Sequence, residues 1–242
     1  MSWEKDIKEI KKREKLALLH GGKDAVNIQH SKGRKTLRER IDIILDNNSF
    51  DEIGKISGSA VYNDKEELKS FTPSNFLLGF GKINKRPIII GGEDFTLKGG
   101  SPNPSGLRKS IYTEELALKY KIPLIRLHEG GGGSVTGSGG SAKNPKIPNS
   151  EPVFSKNRFQ ALAQCLGIVP VATAALGPVA GLPAARLVAS HFSVMTKNSQ
   201  VIIAGPAVVK RALGVEITKE ELGGPEVHLK SGVVDNLAEN EE

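Results

Sequence analysis

Four consecutive glycines, Gly130 to Gly133, follow the acid Glu129 at the end of the apolar run IPLIRL, and the tract continues GGGGSVTGSGG through Gly140. Glycine lacks a Cβ, so it takes positive φ and lets another group approach its N–H closely. A glycine run behind a strand can therefore hold an oxyanion or a phosphate with backbone donors alone. The same tract also reads as a mobile Gly/Ser loop. A second glycine turn, GPVAGLP over 177–183, lies between another apolar run and a helical pattern. Two such turns, each feeding a helix start, would aim N–H groups and positive helix ends at one cleft. That favours stabilising a negatively charged oxygen, with no side-chain nucleophile required.

Competing chemistries lack their motifs. There is no GxxxxGK[ST] or compact GxGxxG for a nucleotide, no GxSxG nucleophile elbow and no HExxH pair. Cys165 is the one cysteine, so a disulfide or multi-cysteine zinc site within the chain is excluded, and a reducing cytoplasm is the expected compartment. The N-terminus is charged from Glu4 onward and no apolar run nears the ~20 residues of a membrane span, which argues against secretion and membrane insertion. Lysines and arginines exceed acids to give a formal charge of +7, yet they are dispersed and aromatics are only 5%. That suits a solvated surface or a phosphorylated small ligand better than nucleic acid.

The elements that must place the glycine turns are legible. Charges alternate around Ile7, Ile10, Leu16 and Leu19, predicting an N-terminal amphipathic helix over 3–19 closed by Gly21 and Gly22. Thr36, with Glu39 three residues on, predicts a capped helix to Leu45, and a strand is expected near Phe50. GKISGSAVY, FLLGFGKI and RPIIIGGED read as strands, with Ile88 to Ile90 the clearest. Helix and strand then alternate: LRKSIYTEELALKYKI, PLIRL, PVFSKNRFQALAQCLG, IVPVATAALG, the helix after the second turn, and SQVIIAG. This predicts a layered α/β fold with both glycine turns at the carboxyl ends of parallel strands.

The blocks GRKTLRERIDIILDNNSFDEI, GGEDFTLKGGS, IPLIRLHEGGGGSV, GPVAGLPAA, VIIAGPAVVKRALG and EELGGPEVHLKSGVVDNLAENEE occur in that order and span nearly every residue. In them the chain resembles the amino-terminal domain of the carboxyltransferase (β) subunit of biotin-dependent acyl-CoA carboxylases, of the propionyl-CoA and methylcrotonyl-CoA kind. The resemblance implies a crotonase-like (ClpP/crotonase) superhelical ββα fold, with an N-terminal helical arm over 1–48, one carboxyltransferase domain over 49–242, and the carboxyl-terminal domain absent. It implies transfer of a carboxyl group from carboxybiotin to the α-carbon of an acyl-CoA through an enolate, with Gly131 and Gly132 as oxyanion donors. Phe95, Lys98, Gly99, Gly100, Gly177, Ala180 and Gly181 are implied as substrate-binding, and no metal is expected in this domain. Biotin is expected on a separate chain or domain. Expected partners are a biotin carrier and biotin carboxylase, the missing domain, and further copies of the chain in a homo-oligomer, a hexamer in full-length relatives. A biotin-dependent acyl-CoA decarboxylase subunit, a crotonase-type hydratase or isomerase, and a non-catalytic assembly module remain as alternatives.

Several residues carry two readings. Glu129 is either an exposed loop acid or an acceptor that orients backbone N–H groups. Lys98 meets a CoA phosphate or is solvated. His128 and His191 read as packed or surface histidines without a catalytic role, and Cys165 reads as core. The chain has Gly181-Leu182-Pro183 after Ala180 where the family commonly has Gly-Gly-Ala.

Overall fold

A computed structural model describes residues 3–132 and 157–242. The glycine run from Gly133 onward and the first part of the helix expected over 152–167 lie outside the described residues.

The amphipathic pattern at the N-terminus forms α1 (Glu4–Ala17), followed by α2 (Lys23–Ser31) and α3 (Leu37–Ile44). At α3 the expected cap is present in full. Glu39 N donates to Thr36 Oγ1 at 3.4 Å and Thr36 N donates to the Glu39 carboxylate at 2.6 Å, so two orphan donors are satisfied reciprocally. A short β1 (Asp51–Glu52) and a separate hairpin of β2 (Gly58–Tyr62) and β3 (Leu68–Pro73) precede β4 (Phe76–Ile83) and β5 (Arg86–Glu93). Then come α4 (Pro104–Tyr120), β6 (Leu124–Gly130), α5 (Arg158–Ile168), β7 (Val171–Ala180), α6 (Leu182–Val188), β8 (Phe192–Thr196) and β9 (Gln200–Ile202). The chain continues through α7 (Pro206–Leu213), α8 (Lys219–Gly223), α9 (Pro225–Ser231) and β10 (Asn236–Ala238).

The main sheet runs β1-β4-β5-β6-β7-β8-β10, antiparallel from β1 to β5 and parallel from β5 onward. Its central strands carry unalternating apolar runs because both faces are covered. On one face Leu37 and Ile41 of α3 and Leu45 pack against Leu77, Ile88, Ile90, Leu127 and Leu176. On the other, Leu116 and Ala117 of α4 and Cys165 of α5 pack against Leu78, Ile89, Leu124 and Val171. A third cluster joins Ala184 and Leu187 of α6 to Val179, Met195 and Val201.

One boundary differs from the sequence expectation. The second turn was expected from 177, but β7 continues to Ala180, because β9 takes over the edge that β8 leaves and pairs with Pro178 to Ala180. The turn is thereby confined to Gly181. The sequence reading also omitted α2, β3, β8, β10 and the three short helices after β9, whose patterns are brief or mostly exposed.

Lys109 of α4 is buried, with its ammonium donating to Gly54 O at 3.3 Å. Burial pulls it down to about 8, with Glu52 opposing and Arg38 adding to the shift. Below that value the folded state holds a poorly solvated charge. Between about 8 and the ordinary lysine value the unfolded chain binds more protons, so stability rises with pH across that window. Lys109→Met is therefore expected to stabilise by about 1–3 kcal/mol at pH 7 and by less at pH 10. Urea midpoints at the two pH values check this, and a lowered midpoint at pH 7 would mean that the bond to Gly54 outweighs the burial cost.

Candidate active site

The carboxyl ends of β5, β6 and β7 deliver three loops to one place. The loop after β5 is tied down first. Thr96 N and Oγ1 donate to Asp94 Oδ1 at 3.0 and 2.6 Å, His20 Nδ1 lies 2.8 Å from Asp94 Oδ2, and Gly21 N donates to Thr96 Oγ1 at 2.9 Å. Lys98, Gly99 and Gly100 then turn through φ of 55°, 62° and 66°. A Cβ on Gly100 would stand 2.7 Å from both Glu129 O and Gly130 Cα, so only glycine permits this approach.

The loop after β6 is pinned to it, since Gly131 N donates to Gly99 O and Ser101 Oγ donates to Gly132 O, both at 2.9 Å. The third loop closes from the other side. Gly181 takes φ 66° and its N–H donates to Ile202 O at 3.0 Å. A Cβ on Gly132 would sit 3.0 Å from Gly181 Cα and 3.1 Å from Ala180 O. The two glycine turns therefore meet backbone to backbone.

Gly99, Gly100, Gly131, Gly132, Ala180 and Gly181 are thus brought together. The N–H of Gly131 is not free, being committed to Gly99 O. Among the described residues, Gly132 N and Leu182 N at the first position of α6 have no backbone acceptor. Gly177 faces away from this point and onto Glu129, where a Cβ would fall 2.5 Å from Oε1. Phe95 is half-buried under the Arg34 guanidinium at 5.6 Å, and Lys98 is exposed.

Beneath the loops lies a layer of buried charge that the sequence reading missed. Glu129 is fully buried, which removes the exposed-loop reading, and among the described residues it accepts from the side chains of Gln29 and Arg34. Arg126 of β6 and Arg186 of α6 meet Glu114 of α4 at 2.5 and 3.2 Å, and Arg186 also donates to Ser110 Oγ at 3.1 Å. His128 Nδ1 lies 3.1 Å from Glu93 Oε2. Burial alone would raise the Glu93 carboxyl, but His128, Arg126 and Arg186 outweigh it and hold it below the ordinary value. A cavity of about 20 Å³, room for one water, is lined by Asn75, Glu93, Gly100, Ser110, Leu182 and Arg186, among others. The available signal was Arg126 and His128 standing two apart inside an apolar strand, since charge within a buried run needs partners.

His191 serves packing, with Nδ1 accepting from Val171 N at 3.0 Å and Nε2 lying 3.1 Å from Leu166 O, at the opposite end of β7. Cys165 is fully buried in the core. Among the described residues no cluster of three or more His, Cys, Asp and Glu could hold a metal ion, and no helix is long and apolar enough to cross a membrane.

The chain is 31% identical to the methylmalonyl-CoA decarboxylase subunit alpha of Veillonella parvula, over 95% of this chain and 45% of that protein. It is 30% identical to the methylmalonyl-CoA carboxyltransferase 12S subunit of Propionibacterium freudenreichii subsp. shermanii, over 98% and 43%. The transcarboxylase 12S crystal structure with methylmalonyl-coenzyme A bound superposes with a TM-score of 0.82 at 29% identity, covering all of this chain and 46% of that one. The β subunit of P. aeruginosa geranyl-CoA carboxylase, with a TM-score of 0.76 and 23% identity over 97% of this chain and 42% of its own, shares the fold. The chain therefore spans less than half the length of these relatives, and its fold is the crotonase-like one of carboxyltransferase domains. With the carboxyl transferase domain model matching residues 28–242, the chain belongs to the carboxyl transferase domain family.

Proposed function

We propose that the chain is the acyl-CoA-binding half of a biotin-dependent carboxyltransferase, holding an acyl-CoA thioester while its α-carbon, as an enolate, accepts a carboxyl group. The observation that supports this most directly is the apposition of Gly132 and Gly181, with the N–H groups of Gly132 and Leu182, which meet no backbone acceptor among the described residues, on the two touching loops. Loss of the α-proton moves negative charge onto the thioester oxygen, and donors fixed in place beforehand stabilise it without reorganisation. Gly132 is the donor from the first turn, and Gly131 holds that turn in place.

Phe95 packs against the pantetheine arm and Lys98 offers a point charge to a CoA phosphate. Gly99, Gly100, Gly177, Ala180 and Gly181 shape the loops so that the acyl group can enter. Carboxybiotin, brought by a biotin carrier and charged by a biotin carboxylase, would supply the carboxyl group and the base. The N–H groups of Gly132 and Leu182 suit one thioester oxygen and do not in addition serve a ureido ring. In this reading residues 49–242 are the carboxyltransferase unit and 1–48 an arm whose last helix, α3, enters the core. The remaining half and further copies of the chain complete the enzyme, in keeping with the transcarboxylase 12S structure, which is described as a hexamer. Decarboxylation is the second reading, favoured by the similarity to the Veillonella subunit, because carboxyl loss from a malonyl-type thioester passes through the same enolate.

Calorimetric titration with acetyl-, propionyl-, methylcrotonyl- and methylmalonyl-CoA, against free CoA, tests the reading. Saturable binding that distinguishes the acyl chains is expected. A folded chain that binds none of them, alone or with the carboxyl-terminal half added in trans, would overturn it.

A further inference from the structure

Glu129 adjoins the loops after β5 and β6 and the strand β7 that leads to the third. Its own backbone leads into Gly130 to Gly132, and its carbonyl is one of the two atoms that the Gly100 position approaches most closely. Its carboxylate lies under Gly177, whose Cβ-less backbone makes room for it. Arg34 donates to Oε1 at 2.6 Å while its guanidinium stands over the Phe95 ring. Arg40 lies 2.7 Å from Oε2, and Gln29 Nε2 donates to the same oxygen at 2.5 Å. Arg40 in turn donates to Leu176 O at 3.0 Å and is held by the Glu241 carboxylate at 2.6 and 2.8 Å. Two acids and two arginines balance in charge, and Arg34 alone of the four is noticeably exposed, with 18% of its side chain accessible.

We infer that Glu129 is a positioning residue, a buried carboxylate that sets the first glycine turn against the second and fixes Phe95 through Arg34. A purely stabilising brace would not need charge, because well-packed apolar residues of similar volume serve a core as well or better. Directed, charge-assisted hydrogen bonds do what apolar packing does not, since they fix the orientation of the groups they join. Here the joined groups are α2, the segment before α3, α3 itself, β6, β7 and the stretch around Glu241. The inference rests on the proposed acyl-CoA site only for what the turns bind, not for how they are held.

Glu129→Gln takes the carboxylate from Arg34 and leaves Arg40 with Glu241 alone, so general destabilisation of the chain is expected from it. Arg34→Gln is the more informative variant because it removes one arm at the partly exposed end. Amide hydrogen exchange reads the result directly. The Gly131 N–H, bonded to Gly99 O, is expected to lose about tenfold or more of its protection in Arg34→Gln, while Ile89 N–H, bonded to Pro123 O in the sheet, keeps its own. Acyl-CoA affinity, measured with propionyl-CoA, is expected to fall about tenfold with it, and Arg34→Lys to restore part of both. Equal loss at Gly131 and Ile89 would indicate general destabilisation and overturn the inference, as would unchanged exchange at Gly131. If the wild-type chain binds no acyl-CoA, the functional reading fails on its own and the exchange comparison still decides this one.

Discussion

Gly132→Val, in an enzyme completed by its carboxyl-terminal half, is expected to lower turnover by ~10²–10³-fold while the chain keeps its fold. Gly131→Ala, one residue earlier, is expected to leave turnover within about threefold. The contrast follows from what each position faces. A Cβ at Gly132 meets Gly181 Cα at 3.0 Å and Ala180 O at 3.1 Å, and these are backbone atoms that cannot rotate away. The added isopropyl group would push the two glycine turns apart and displace the Gly132 donor from the place where an enolate oxygen would sit. At Gly131 the nearest atoms are Gly99 O at 3.6 Å and Ser101 Oγ at 3.8 Å, ordinary contact distances, and its N–H keeps its bond to Gly99 O. Steady-state rates with the preferred acyl-CoA, beside circular dichroism of each variant, make the comparison. Equal loss at both positions would return the oxyanion role to the Gly131–Gly132 pair, and no loss at Gly132 would remove it from this turn.

The largest effect on stability is expected at Glu114. Its Oε1 meets Arg126 Nη2 at 2.5 Å and Arg186 Nε at 3.2 Å, and all three side chains are at most 2% exposed. Glu114→Ala removes the carboxylate that both guanidinium ions share and leaves only the more distant Glu93 charge near them, and Arg186 is already drawn down to about 10 by burial first and by Arg126 second. Breaking such a buried group from one side costs about 3–5 kcal/mol, a large share of the ~5–15 kcal/mol that holds a domain folded. The urea midpoint should fall accordingly. The combination Glu114→Leu, Arg126→Met, Arg186→Met should recover most of the loss, because the triad's own charges are then gone and Glu93 keeps His128 beside it. If the single variant melts like the wild type, water reaches the triad and the charges are not in a dry core. If the triple variant is as stable as the wild type yet fails to bind acyl-CoA, the triad orients α6 and β6 rather than merely filling the core.

Much of the fold was legible because it rests on short-range rules. Thr36 and Glu39 form their reciprocal cap within one helical turn, and FLLGFGKI and the strand at Ile88 to Ile90 appear where residue type and punctuation put them. The later helices and the edge strands were less legible. The helix over Pro206–Leu213 buries no residue, and β8 and β10 each have only three to five residues in which to show a period.

The site divides in the same way. The glycine turns that hold Gly131, Gly132 and Gly181 could be picked out from the sequence, since residues without Cβ at strand ends have few purposes other than close approach or mobility, whereas Gly99 and Gly100 came only with the family resemblance. Which of their N–H groups is available could not. That depends on Gly99 O arriving at Gly131 from a loop some thirty residues earlier. Likewise, Glu129 ahead of four glycines looks the same in sequence whether it is solvated or buried. Its burial depends on Gln29 and Arg34, separated from it by 100 and 95 positions, and on Arg40, which is itself held by Glu241 at a separation of 201.

What the sequence determined by itself was therefore local. It set the alternation of helix and strand, the caps, and the bare backbone placed at strand ends, together with a family resemblance carried by ordered blocks. The tertiary structure decided which donors stay unengaged, which charges are buried, and which loops touch. The physical reason is range: helical and strand periods are set over a few residues, whereas the desolvation of a carboxylate and the engagement of an N–H are decided by groups that only the folded chain brings within 3 Å.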